Sequence, residues 1–186
     1  MLWLSPEEQQ ACRHTCEYFR ELIKPARVNF LQFGVENGNV GYCELGFVCG
    51  HRSENACLRA ARLGHLDVLV WAKSRSFIFD SETSAMAAAG GHLSVLKWLR
   101  EQNCPWCETT CSGAVISGHL EVLKWVIAEG CPWFKYACNY AAYLGYLDIL
   151  TWSVTNGCNW DFKNSNYYPQ HIQDYINKLW LDDNPT

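Results

Sequence analysis

The chain has 186 residues, 49% apolar and 18% charged, enough to bury a core and too short for a large multidomain enzyme. A net charge of −4 excludes the broad basic field of a sequence-independent nucleic-acid binder. No run approaches the roughly 18 apolar residues of a membrane span, so what stands out is nine Trp and eleven Cys.

Residues 1–24 are expected to form an N-terminal capping helix. Ser5-Pro6-Glu7-Glu8 is a capping-box start with Pro at the first helical position, and Ala11, Cys12, Cys16, Phe19, Leu22 and Ile23 give one apolar stripe that Pro25 closes. This start carries no basic segment leading into an apolar stretch of signal-peptide length, and an odd thiol count leaves one Cys over. The expectation is an intracellular, reducing setting (cytoplasm or nucleus of a host cell, or a virion), not secretion, with the Cys acting as small buried thiols.

Residues 25–160 are expected to hold about five units. Gly64-His-Leu-Asp-Val-Leu69, Gly91-His-Leu-Ser-Val-Leu96, Gly118-His-Leu-Glu-Val-Leu123 and Gly145-Tyr-Leu-Asp-Ile-Leu150 recur with a period of 27. A degenerate copy lies upstream, where Gly38-Asn-Val aligns with Gly64-His-Leu and places Cys43 in register with Leu69, Leu96, Leu123 and Leu150. The period absorbs most of the odd composition. Trp71, Trp98, Trp125 and Trp152 share one register, and Trp106, Trp133 and Trp160 a second. Cys104, Cys131 and Cys158 share another, and Cys57, Cys111 and Cys138 a fourth in which Ser84 and Ser165 also stand.

Each unit reads as helix, turn, helix, loop. The first helix carries paired small residues, Ala60-Ala61, Ala87-Ala88, Ala114-Val115 and Ala141-Ala142, which let neighbouring helices approach closely. The following Gly ends it, because Gly tolerates the left-handed conformation of a tight turn. The second helix has Asp67, Glu121 or Asp148 in its first turn, where the helix dipole favours an acid. Cys-Pro-Trp then breaks the chain, since Pro removes a donor and biases the preceding residue away from helix. Residues 161–186 are expected to supply a C-terminal capping helix over 168–181, with Ile172, Tyr175, Ile176, Leu179 and Trp180 at helical spacing, and a polar tail. No linker separates domains, so the whole of 1–186 reads as a single solenoid domain.

Ala87-Ala-Ala-Gly-Gly-His-Leu-Ser-Val-Leu96 and its copies resemble the ankyrin-repeat family over residues 31–160. An ankyrin unit runs to about 33 residues. The shortfall falls where that family has its β-hairpin finger, which implies an all-α, ankyrin-like helix-turn-helix solenoid with reduced or absent fingers and a capping helix at each end. Shortened units with a Gly-Cys-Pro-Trp signature are similar to those of ankyrin-like proteins of large DNA viruses of protists and of some protists.

The resemblance implies protein binding without catalysis or cofactor. In the family the two positions after Ala-Ala vary and often contact partners; here they are Arg62 and Leu63, Ala89 and Gly90, Ile116 and Ser117, and Tyr143 and Leu144. The loss of the finger removes part of that family's contact surface. No membrane partner is expected, and the sequence does not fix an oligomeric state.

The sequence also offers two rival chemistries. Cys104-Pro-Trp-Cys107 is a CxxC that, with Cys111 a turn later, could form a redox pair or part of a zinc site. The preferred reading is repeat signature, because the βαβ context of a thioredoxin-like site is missing and zinc needs four converging ligands. His65, His92 and His119 likewise lie in register, spread along the stack, and family precedent gives them a hydrogen bond at the turn. Asn39 and Tyr146 replace them in other units, which suits a turn role better than a ligand role. For nucleic acid the candidates are the Trp rows and a basic patch of Arg13, His14, Arg20, Lys24 and Arg27, joined by Arg52, Arg59 and Arg62. Only Lys73, Lys97, Arg100 and Lys124 lie near the Trp rows, so core packing is the expected role of Trp and solvation that of the patch.

Overall fold

The computed structural model describes residues 29–48, 50, 53, 55–158, 160 and 167–183, with side chains of the last helix through Lys178. The expected N-terminal capping helix, the basic residues Arg13 to Arg27 and Arg52, and Cys12, Cys16 and Cys49 lie outside the described residues. Among the described residues the protein is all-helical, with eleven helices and no strand. The chain divides into two compact units, Met1–Ile78 and Phe79–Thr186.

The first unit contains α1 (Phe30–Glu36), α2 (Val40–Val48), α3 (Ala56–Leu63) and α4 (Leu66–Ser74). Helix α1 packs on α2 and α3, and α4 on α2 and α3. The degenerate first copy therefore makes the same helix pair as the regular ones. Cys43, aligned with the Leu column, is fully buried as that register requires.

The second unit contains α5 (Ser81–Ala89), α6 (Leu93–Glu101), α7 (Glu108–Ile116), α8 (Leu120–Ala128), α9 (Ala137–Leu144), α10 (Leu147–Thr155) and α11 (Gln170–Asp183). The first helices of consecutive repeats, α5, α7 and α9, pack side by side, and each also packs on its own second helix. The paired small residues make this approach possible. Ala87, Ala88, Ala114, Val115, Ala141 and Ala142 are fully buried, and a side-chain carbon added at Gly113 would stand 2.7 Å from the Ala85 carbonyl oxygen. The Leu and Val columns of the second helices, Val95, Leu96, Leu99, Leu123, Val126, Ile149 and Leu150, close the core. Each such side chain contributes about 1.5–3 kcal/mol by leaving water.

The turn between the two helices is the same in each regular repeat. Gly91 adopts φ +77°, and its ring neighbour adds a second reason for Gly: a Cβ there would lie 2.7 Å from Cε1 of His119 in the next repeat. At the other end of each pair the connections, such as 104–107 and 131–134, are short and irregular with no strand, as expected for a reduced or absent finger. Helix α11 starts two residues later than the expected helix, because Pro169 disfavours a helical conformation at Tyr168, and the Pro169 carbonyl accepts from the Ile172 and Gln173 N–H groups of the first turn. Ile172 and Ile176 form its buried stripe, and Tyr168 pairs with Trp160 at 6.4 Å between ring centroids.

Candidate functional site

The imidazoles of the turn act between repeats. A ring N–H of His65 donates to the Glu36 carbonyl at 3.2 Å, that of His119 to Ala89 at 3.2 Å and that of His171 to Gly145 at 2.9 Å. Each satisfies a carbonyl at the end of the preceding first helix, where four such groups lack helical partners. The hydrogen bond that the sequence assigns to the turn is therefore made to the turn one repeat upstream. His171 was missed by sequence reasoning, although it follows Gly145 at nearly the spacing that separates His119 from Gly91.

The thiols of the Cys-Pro register have an equally local task. The Cys104 thiol donates to the Asp80 carbonyl at 3.2 Å, and Cys131 repeats the bond to the Cys107 carbonyl at 3.4 Å. Each ties a loop to the start of the next upstream first helix. In the other Cys register, Cys111 accepts a hydrogen bond from the Phe134 N–H at 3.4 Å. Burial pushes the Cys111 thiol up to about 12, and the Cys131 thiol up to about 11.

The three thiols proposed as a redox or zinc cluster therefore do different things. Cys104 and Cys111 are buried and bonded to separate backbone groups, whereas Cys107 is half-buried at the N-cap of α7, 3.1 Å from the Thr109 hydroxyl. Hydrogen bonds from Thr109 to its sulfur hold the Cys107 pKa below the ordinary thiol value. Among the described residues no three His, Cys, Asp or Glu side chains converge on a position that could hold a metal ion.

Cys107 also explains an orphaned hydroxyl. In the preceding repeat Asp80 caps α5, accepting from the Thr83 N–H at 3.0 Å and the Thr83 hydroxyl at 2.9 Å. These bonds hold the Asp80 carboxyl below its usual pKa. Thr110 occupies the position of Thr83 in α7, but its N-cap is Cys107, and its buried hydroxyl has no hydrogen-bond partner.

The Trp rows differ from the expected core role. Trp71 and Trp160 are buried, whereas Trp98, Trp106, Trp125, Trp133 and Trp152 are half-buried. They pair with each other instead: Trp125 meets Trp106 edge-on at 5.8 Å, Trp152 meets Trp133 at 5.9 Å, and Trp98 meets Phe79 at 5.6 Å. Edge-on packing, as in the Trp106–Trp125 and Phe79–Trp98 pairs, keeps favourable ring electrostatics. Arg100 lies 4.0 Å above the Trp106 ring, and the Trp71 indole donates to Glu44 at 2.7 Å, with Arg75 also paired to Glu44. Those rings are engaged within the protein, which weakens the case for a nucleic-acid stacking platform.

The candidate partner-binding residues fall into two sets. In the first unit Arg59, Arg62 and Leu63 are exposed on α3, with Arg59 paired to Glu36 at 3.2 Å. In the second unit Ala89, Ile116, Ser117, Tyr143 and Leu144 come together at the C-terminal ends of the adjacent helices α5, α7 and α9. Ala89 and Ser117 are half-buried there, whereas Ile116 is 44% and Tyr143 64% exposed. Tyr136 and Tyr140 extend this surface along α9 and were not singled out in the sequence. Their signal was present, since residues 136, 140, 143 and 144 share one helical face. A separate open groove of about 780 Å³ runs between α8, α10 and α11, lined by Leu120, Lys124, Leu147, Asp148, Trp152 and His171 among others. Its histidine and lysine are bonded to Gly145 and Glu121.

No protein-family model matches the chain, and no curated protein matches it significantly. No helix among the described residues is long and apolar enough to cross a membrane.

Proposed function

We propose that the protein is a non-enzymatic, ankyrin-like interaction module, an adaptor or structural component that works inside a cell or virion. It binds a protein partner through the exposed ends of its first helices. The observation that carries this reading is the outer face of α9, where Tyr136, Tyr140, Tyr143 and Leu144 stand exposed beside Ile116 of α7. Large apolar side chains left exposed on a helix gain little from the core, and Tyr is a residue type enriched where proteins bind one another. The histidines and loop thiols are engaged with backbone carbonyls, and Tyr136 and Tyr140 pack one side on Phe134 at 6.0 and 5.5 Å while staying half exposed, which leaves Tyr143 and Ile116 as the most outward part of the face. The sequence resemblance points to the same edge of the fold.

The test is affinity capture from host extract with the wild type and an Ile116→Ser, Tyr140→Ser, Tyr143→Ser variant, each checked for unchanged helicity. The variant is expected to lose partners that the wild type retains, with binding nearly flat in salt. Equal capture by both proteins would overturn the assignment of the face, and affinity falling steeply with salt would point to nucleic acid.

A further inference from the structure

Two Cys registers of the repeat lie side by side, 20 residues apart, and their occupants differ from one helix pair to the next. In α5 and α6 the pair is Ser84 and Cys104, hydroxyl to sulfur 3.3 Å. The corresponding pairs are Cys111 with Cys131, and Cys138 with Cys158. In the last pair the Cys138 thiol points at the loop that carries its partner, donating to the Cys158 carbonyl at 3.9 Å. Cys138 is fully buried on α9, while Cys158 is half-buried in the loop after α10. We infer that Cys138 and Cys158 are an oxidation site, two thiols that hydrogen peroxide converts to a disulfide closing the α9–α10 pair.

The chemistry balances with peroxide as the named oxidant. The Cys158 sulfur attacks one peroxide oxygen, the O–O bond breaks, and Cys158 sulfenic acid and one water form. The Cys138 sulfur then attacks the Cys158 sulfur, forming the S–S bond as the S–O bond breaks, and the hydroxyl leaves with the Cys138 proton as a second water. The two sulfurs together give up two electrons, and the peroxide accepts them. The hydrogen bond from Cys138 lowers the Cys158 pKa and raises that of Cys138, so one thiol of the pair is the nucleophile and the other the resolving group. Gly157, beside Cys158, is at φ +85° with no atom within 4 Å of its side-chain position, so no neighbouring group stands against the loop there. Cys111 and Cys131 occupy the same registers but are both buried, with raised pKa values and with backbone partners of their own, so they stay protonated.

The test treats the reduced full chain with hydrogen peroxide, blocks the remaining thiols and maps the peptides by mass spectrometry. A Cys138–Cys158 cross-link is expected, with a rise in Tm on the order of 5 °C that reductant reverses. Cys138→Ser retains the fold, because Ser84 fills that register in α5, and its Cys158 should stop at sulfenic acid, trapped by a sulfenic-acid reagent. A cross-link between Cys111 and Cys131 in preference, or irreversible oxidation of Cys158 without a cross-link, would overturn the assignment. So would a Cys158 that resists peroxide while other thiols react.

Discussion

Replacing Cys107 by Asp should stabilise the protein. The backbone at 107 is already extended, φ −152° and ψ −170°, close to the −121° and −177° of Asp80, so a carboxylate placed there can reach back to α7 without rearrangement. It would accept from the Thr110 N–H, as Asp80 accepts from Thr83, and give the buried Thr110 hydroxyl the partner it lacks. An N-cap of this type contributes about 1 kcal/mol, and satisfying a buried hydroxyl about another. The lost contact between Cys107 and Thr109 and the charge of neighbouring Glu108 offset part of this, leaving a net gain of about 1–1.5 kcal/mol. For a chain of this size that is about 3–5 °C in Tm. Urea and thermal unfolding of four proteins decide it: wild type, Cys107→Asp, Thr110→Val and the double variant. The gain should shrink to that of a simple cap when Thr110 is Val. An equal gain with and without the Thr110 hydroxyl, or none at all, would refute the reasoning.

Two further outcomes follow from the same geometry. Asp80→Ala should cost about 1 kcal/mol at neutral pH. Because the folded pKa of Asp80 is depressed, that stabilisation is present above the unfolded carboxylate value near 3.9 and is lost as pH falls through the folded pKa, so wild type and variant should converge in acid. Gly91→Ala should destabilise more than Gly130→Ala. Both residues are left-handed, at +77° and +82°, and each substitution costs about 1 kcal/mol for the backbone. Only at Gly91 does the added carbon also meet the His119 ring, so equal losses in denaturation would show that the ring does not pack there.

The fold was largely legible because the repeat writes each structural demand several times. Gly91, Gly118 and Gly145, each followed by a ring and a Leu, reveal a turn that a single copy would not. The helix pairs follow from that turn together with the Ala-Ala doublets. Less legible was anything set by contact across repeats. Spacing shows that His119 is periodic but not that its ring crosses to Ala89 of the previous repeat, and His171 hides in a helix whose sequence no longer looks like a repeat. The half-buried state of Trp125 depends on its meeting Trp106 edge-on, an orientation that periodicity does not encode. The CxxC drew attention to Cys104 and Cys107, whereas the fold brings Cys138 against the Cys158 loop, 20 residues on in sequence. For the candidate face, residues next to the Ala-Ala doublet were found by resemblance; Tyr136 and Tyr140 lie on the same helical face by spacing, but only their exposure on α9 separates them from core positions.

The most direct measurement is amide hydrogen exchange of the full chain, alone and in complex with the protein it captures. New protection is expected at the end of α7 and along α9, with exchange in α6, α8 and α10 unchanged. Protection concentrated on the second helices and the groove beside α11, with none on α9, would contradict an interaction module that binds through its first helices.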